Sequence, residues 1–299
     1  MTGKIPAVAA CALYVLASGL PVAWGEDLSH LGVYATTHSE EIGVHFIVTD
    51  PLGRRMGNDC TRAKEDPLRE IPGSGYGVDS TGDDESGSPG PEGIQSGINP
   101  MTAGTYTITL CGLATAKFNL EVEGKDISGK LQPNRRILDG FIAAGTTAQY
   151  VLSYDPAPGN GIAQFVKQVS FATLRQDLQT AFTLGQIGDA KFVAKLDKIL
   201  AKGEKILTKQ GGKGRENKKE AVEKLREFIK KLEKAFKGEK DDDRDEDDDK
   251  DHDKKHEEKE HEKPAKRFVS ELAFKSLTGD AETLIVTLGG KPGKGQDDD

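Results

Sequence analysis

The chain has 299 residues, of which 30% are charged and only 35% are hydrophobic, and it contains 35 glycines. This length allows two domains of ordinary size, and the composition predicts that a good part of the chain is loop or disordered. Beyond the first 25 residues no stretch is apolar enough to span a bilayer as a helix.

Charge is distributed unevenly along the chain, whose overall net charge is −8. Residues 26–169 carry a net charge of −8, residues 170–236 a net charge of +7, and residues 237–267 a net charge of −5. A basic helical region can bind an anion, a nucleic acid or a membrane. Lysines spaced along amphipathic helices are also typical of a solvated surface. We expect a solvated lysine surface here, and we expect no nucleic-acid partner.

Residues 1–25 have the features of a secretory signal peptide. Lys4 precedes an apolar run, and the small residues Ala23 and Gly25 stand at −3 and −1 to a cut before Glu26. We therefore expect cleavage near Gly25 and a secreted or periplasmic protein without a transmembrane span. An uncleaved anchor is the alternative, because a run of about 18 apolar residues is borderline for spanning.

Residues 26–160 have strand periodicity. Short β-branched and aromatic runs are bounded by Gly, Pro, Asn or Asp. They are Val44–Thr49, Tyr106–Leu110, Phe118–Val122 and Gln149–Tyr154. Such a series predicts an antiparallel β-sandwich.

Two phrases in this region resemble known modules. Asn99–Ile108, followed by Cys111 and Gly112, resembles the "P-x-x-G-x-Y-x-[LI]" segment of secreted bacterial sandwich domains of the pre-peptidase C-terminal type. Asp50–Gly57 is similar to the "D-P-x-G-R-R-x-G" turn of related exported sandwiches, although Cys60 stands where a Pro is expected. The resemblance implies a non-catalytic module for targeting, adhesion or spacing.

Export places the two remaining cysteines in an oxidising compartment, because Cys11 leaves with the signal peptide. We predict a disulfide between Cys60 and Cys111. The bridge closes a loop of about 50 residues and stabilises the fold by roughly 3–4 kcal/mol on the chain-entropy model. The alternative is two free buried thiols.

An acidic loop rich in Gly, Ser and Pro lies between the two phrases. Its carboxylates are Asp79, Asp83, Asp84, Glu85 and Glu92. Clustered carboxylates are suitable ligands for Ca²⁺, and the first four are the candidate metal ligands. The spacing does not fit an EF-hand, and a solvated surface loop is the alternative.

Residues 170–288 have helical periodicity, with apolar residues at steps of three and four. The predicted helices are Ser170–Leu184, a second beginning at the N-cap Asp189 and ending at Gly211, a third over Glu216–Phe236 and a fourth over Ala265–Leu288. We expect a small four-helix bundle, and hence an α+β multidomain protein. Gly289 and Gly290 end the last helix, and residues 289–299 are expected to form a disordered tail.

The helical region resembles the FIMAH-type domain, a four-helix module at the C-termini of secreted bacterial proteins. The matching phrases lie at Phe171–Leu174, Gly185–Ile187, Lys195–Leu200, Ala221–Ile229 and Ser270–Ile285. The resemblance implies an accessory role without catalytic residues.

Residues 237–264 depart from that pattern, because they are nearly all Asp, Glu, Lys, Arg and His. Without apolar side chains the segment cannot offset its ordering entropy, and we expect disorder. His252, His256 and His261 lie among its carboxylates. A weak transition-metal site there is one interpretation, and a charged tether is the other.

The sequence contains no motif typical of an enzyme. The nucleophile elbow, the His-Glu-x-x-His motif of zinc proteases and the phosphate-binding loop are all absent from it. A site formed by His30, His38 and His45 with Asp50 is one interpretation, and scattered polar residues on strand edges are the preferred one. We expect an exported non-catalytic protein without a cofactor, whose partner is an unknown extracellular or envelope component. The alternative is an accessory module that binds calcium or a glycan.

Overall fold

The structure is a computed structural model that describes residues 26–37, 42–59, 61, 66–80, 92–132, 135–209, 214–238 and 268–292. Within these ranges eleven strands precede four helices. The strands are β1 His30–Thr37, β2 Val44–Thr49, β3 Arg55–Gly57, β4 Leu68–Arg69, β5 Ser74–Ser80, β6 Glu92–Ile98, β7 Gly104–Gly112, β8 Ala116–Lys125, β9 Arg136–Ile142, β10 Thr147–Asp155 and β11 Gly161–Lys167. The helices are α1 Phe171–Thr183, α2 Ala190–Thr208, α3 Gly214–Phe236 and α4 Glu271–Thr287.

The strands form two antiparallel sheets, and the chain is therefore an α+β protein. The first sheet has the strand order β5-β6-β1-β8-β9, and the second has the order β11-β10-β7-β2-β3-β4. Side chains alternate along β8, where Phe118, Leu120 and Val122 are buried. This period of two gives each sheet one apolar face that must be covered.

Apolar side chains of both sheets belong to one hydrophobic cluster. Leu31 and Val33 come from the first sheet, and Phe46 and Ile108 come from the second. Since the cluster includes residues from both sheets, their apolar faces are covered by each other's side chains.

The two phrases singled out in the sequence lie side by side. Asp50 closes the turn between β2 and β3, because its Oδ1 accepts hydrogen bonds from the backbone N–H of Leu52 at 2.9 Å and of Arg54 at 2.8 Å. Gly104 has a φ of +145° and packs so closely on Pro51 that a Cβ there would lie 2.7 Å from the Pro51 ring. The Pro and Gly of these phrases are therefore required by turn geometry and close packing.

The helices begin at side-chain caps. Ser170 caps α1 in a reciprocal arrangement with Thr173, and Asp189 caps α2. The fourth helix begins later than predicted, because Ser270 caps it through the N–H of Ala273 at 3.1 Å. Phe268, which falls within the predicted helix, precedes that cap and is 53% exposed.

All four helices contribute to a second hydrophobic cluster, which also contains one residue of the sheets. Phe141, on β9, is only 1% exposed and packs among the helical side chains. The helices therefore cover part of the first sheet's edge strand. In the part of the chain that the structure describes, none of the helices is both long and apolar enough to cross a membrane.

Candidate functional site

Three buried charges meet where the sheets join the helices. The ammonium of Lys167, at the end of β11, lies 2.6 Å from Oδ2 of Asp177 in α1 and 2.7 Å from Oδ2 of Asp280 in α4. The three side chains are 11%, 8% and 11% exposed, respectively. We call Lys167, Asp177 and Asp280 the joint cluster.

The joint cluster carries two carboxylates for one cation in a site with little access to water. Burial raises the pKa of Asp177 to about 7, and the ammonium of Lys167 opposes that rise while the carboxyl of Asp280 adds to it. Burial alone would lower the pKa of Lys167, but the carboxylates of Asp280 and Asp177 outweigh it and hold the pKa above its usual value. Lys167 is therefore cationic near neutral pH.

A cavity of about 370 Å³ lies beside the joint cluster, between the β9–β10 turn, the end of β11 and the start of α1. Lys167 and Asp177 form its charged wall. The rest of the lining is mostly neutral and polar, and includes Thr147, Gln149, Gln168 and Gln176. Such a lining offers hydrogen-bond donors and acceptors beside a comparable amount of apolar surface.

Three of the hydroxyl groups around the cavity, those of Thr146, Ser170 and Thr173, have partners within the protein. Ser170 Oγ accepts from the Thr173 N–H at 3.2 Å, and Thr173 Oγ1 accepts from the Ser170 N–H at 2.8 Å. Thr146 donates to the Ala143 carbonyl at 2.8 Å. A carboxyl with a pKa near 7 beside a cavity is suited to acid–base chemistry, but these hydroxyls serve turns and a helix cap. The geometry supports a joint between two parts of the chain better than a nucleophilic site.

The predicted calcium site is not tested by the structure. Asp83, Asp84 and Glu85 lie outside the described residues, and Asp79 belongs to β5, where only its backbone is described. Among the residues that are described, no group of three or more potential ligands is placed to hold a metal ion. His252, His256 and His261 also lie outside them.

The predicted disulfide also stays a prediction. Cys111 is buried in β7, and Cys60 lies outside the described residues. The structure does not bring His45 and Asp50 into one site. His45 Nδ1 lies 2.8 Å from the hydroxyl of Tyr76, whereas the carboxylate of Asp50 binds Arg54 at 2.7 Å. Burial lowers the pKa of His45.

Sequence reasoning missed the joint cluster. Lys167 lies on a strand that the sequence pattern did not predict, and Lys is rarely buried unless it is paired. A signal was nevertheless present, because Asp177 follows Leu174 by three residues in α1, and Asp280 lies between Leu277 and Ala281 in α4. A carboxylate on the apolar stripe of two helices predicts a buried cation that binds both.

Known proteins provide no further guide to this site. Comparison of the chain with protein-family profiles, with curated proteins and with solved structures finds no match.

Proposed function

We propose that this chain is an exported, non-catalytic protein that acts as a binding, adhesion or spacing module at the cell envelope or outside the cell. It consists of a β-sandwich domain of the pre-peptidase C-terminal type and a four-helix module of the FIMAH type, secreted or periplasmic after cleavage near Gly25. The support comes from the predicted signal peptide, the two resembling turn phrases and the joint between the two parts.

The joint cluster is the observation that carries this proposal. Lys167 belongs to the sheets, and it binds one carboxylate on each of two helices at 2.6 and 2.7 Å. Only residues 168–170 separate β11 from α1, and Phe141 of β9 packs in the helical core. A module that spaces or presents a surface needs its two parts held in a fixed relation, and buried paired charges favour one arrangement over others.

An accessory glycan-binding module is the second candidate, and the joint cavity favours it. Amides and hydroxyls such as those of Gln149, Gln168 and Thr147 pair with the hydroxyls of sugars, and about 370 Å³ is within the range of small-ligand sites. Calcium binding at Asp79, Asp83, Asp84 and Glu85 belongs to the same alternative, as an untested prediction.

Two measurements test the main proposal. The full-length chain should be recovered outside the cytoplasm with Glu26 as its N-terminal residue, as determined by mass spectrometry, and recovery of intact chain in the cytosol would contradict export. The purified protein should also be inactive on a broad set of ester, peptide and glycoside substrates. Turnover that Asp177→Asn abolishes, while the variant stays folded, would show that the protein is an enzyme and that its catalysis depends on Asp177.

Calorimetry decides between the main proposal and its alternative. Titration with millimolar calcium and with a panel of neutral oligosaccharides should produce no heat and no rise in melting temperature if the protein is a spacing module. Saturable heat that Gln149→Ala reduces would support the glycan interpretation.

A further inference from the structure

One exposed face of helix α2 consists of lysines. Lys191, Lys198, Lys202 and Lys205 follow one another at steps of seven, four and three residues, and all four are exposed. At 3.6 residues per turn they lie within about 60° of one another around the helix, and the row is about 21 Å long. We call these four residues the lysine face.

The lysine face has no neutralising carboxylates among the described residues. The two acidic residues within α2 lie away from it and are bound by Arg175 of α1, which reaches Asp197 at 2.8 Å and Glu204 at 3.1 Å. None of the four lysines takes part in an ion pair with a described residue.

Helix α3 is different, although it is also rich in lysine. Its glutamates are interleaved with its lysines, and Lys224 binds Glu227 at 2.7 Å. Glutamates therefore accompany the lysines along α3, whereas no carboxylate of the described residues lies on the lysine face of α2.

A segment of the same chain has the complementary charge. Residues 241–253 contain ten carboxylates and only two cations, Arg244 and Lys250. The segment is outside the described residues, and the chain that contains it leaves the helices at Gly238 and returns at Phe268.

Both of those connections lie at the end of α2 where the lysine face begins. The carbonyl of Phe268 accepts a hydrogen bond from the N–H of Gly188 at 2.9 Å, directly before the Asp189 cap of α2. At the other connection, Phe236 stacks on Phe274 of α4 with ring centroids 4.5 Å apart. The 15 residues from 253 to 268 can span up to about 50 Å when extended, which is more than the length of the lysine face.

We propose that residues 241–253 dock on the lysine face of α2 through multiple ion pairs. A single exposed ion pair contributes little, but a tethered partner is present at millimolar effective concentration, so several weak pairs can form together. The contact is screened by salt, because the charges are exposed and the Debye length is about 8 Å at physiological ionic strength. The inference is independent of export and of the role of the joint.

Zero-length carbodiimide cross-linking of the full chain tests the proposal. Carboxylates of residues 241–253 should cross-link to Lys198, Lys202 and Lys205 at low salt, and the yield should fall severalfold in 0.5 M NaCl. Lys218, Lys219 and Lys230 of α3 are equally exposed and should cross-link little. An even distribution between the two helices would overturn the proposal. Cross-links found only between differently isotope-labelled chains would overturn it in favour of a second copy.

Binding of poly-L-glutamate provides a second measurement that does not depend on cross-linking chemistry. Replacing Asp245, Asp247, Asp248 and Asp249 with Asn should strengthen binding by at least about fivefold, because the lysine face is no longer occupied. Adding Lys198→Gln, Lys202→Gln and Lys205→Gln should abolish that gain, whereas Lys218→Gln, Lys219→Gln and Lys230→Gln should preserve most of it. Equal affinity of the wild type and the Asn variant would contradict the proposal.

Discussion

Two clusters in this molecule have the same balance of charges and different surroundings. In the joint cluster Lys167 binds two carboxylates, and its three side chains are 8–11% exposed. In a surface cluster Arg175 of α1 binds Asp197 and Glu204, and its three side chains are 28–38% exposed. Each has one cation and two carboxylates. The main difference between them is burial, because removing a partner leaves an unsolvated charge in one cluster and a hydrated charge in the other.

The largest effect is expected for Lys167→Met, which keeps the length of the side chain but leaves Asp177 and Asp280 without a cation. The free energy of unfolding should fall by about 3–5 kcal/mol, as measured by urea denaturation. A triple variant with Lys167→Met, Asp177→Leu and Asp280→Leu is the control. It should recover most of the loss, because no charge is left buried. A loss below about 1 kcal/mol for the single variant would mean that water reaches the cluster.

The next largest effect is expected in the pH dependence of stability, to which Asp177 of the joint cluster contributes. The pKa of Asp177 rises from 3.8 to about 7 on folding, so the folded chain binds a proton that the unfolded chain releases. Its contribution to stability is fully present below about pH 4 and is lost as the pH rises toward 7. Carboxyl groups whose pKa folding lowers, such as Asp126 and Asp155, act in the opposite direction.

Comparison with Asp177→Asn isolates this contribution, because the amide resembles the protonated acid and does not titrate. The stability of the wild type relative to this variant should decrease between pH 4.5 and pH 8 in urea titrations. Asp155→Asn is the control, because folding lowers the pKa of Asp155, and the stability of the wild type relative to this variant should not decrease over the same pH range. Parallel stability curves for the wild type and Asp177→Asn would show that Asp177 does not take up a proton on folding.

Removal of the helix cap at the joint should lower the free energy of unfolding by an intermediate amount. Ser170→Ala removes the hydroxyl that accepts from the Thr173 N–H, and caps of this kind contribute about 1 kcal/mol. Ser270→Ala at the start of α4 is the control, since it removes an equivalent bond to Ala273 away from the cavity. If Ser170→Ala costs several times more than Ser270→Ala, Ser170 also supports the joint.

The sequence was informative where one face of an element is buried and the other is solvated. The four runs predicted as strands are all present within β2, β7, β8 and β10, and the predicted helix start at Asp189 is correct. Alternation and 3.6-residue periodicity are local properties, so they can be read without knowing the fold.

Two of the strands that were missed have weak local signals. β5 and β6 contain two glycines each, and glycine weakens strand propensity. They are strands because neighbouring strands pair with them, with Gly75 opposite Gly97. The joint cluster also depends on tertiary packing, since Asp280 is 113 residues from Lys167 and the packing of α1 and α4 against the sheets brings the three side chains together.

The smallest loss in the free energy of unfolding is expected for Arg175→Gln in the surface cluster. The substitution removes both ion pairs of Arg175, but water can solvate Asp197 and Glu204, so the expected loss is about 0.2–1 kcal/mol. The loss should shrink further in 0.5 M NaCl, whereas the effect of Lys167→Met should change little because buried pairs are screened less. Urea denaturation of both variants at low and high salt measures this difference. If Arg175→Gln costs as much as Lys167→Met, geometry rather than burial determines the strength of these clusters, and the joint loses its special role in holding the helices against the sheets.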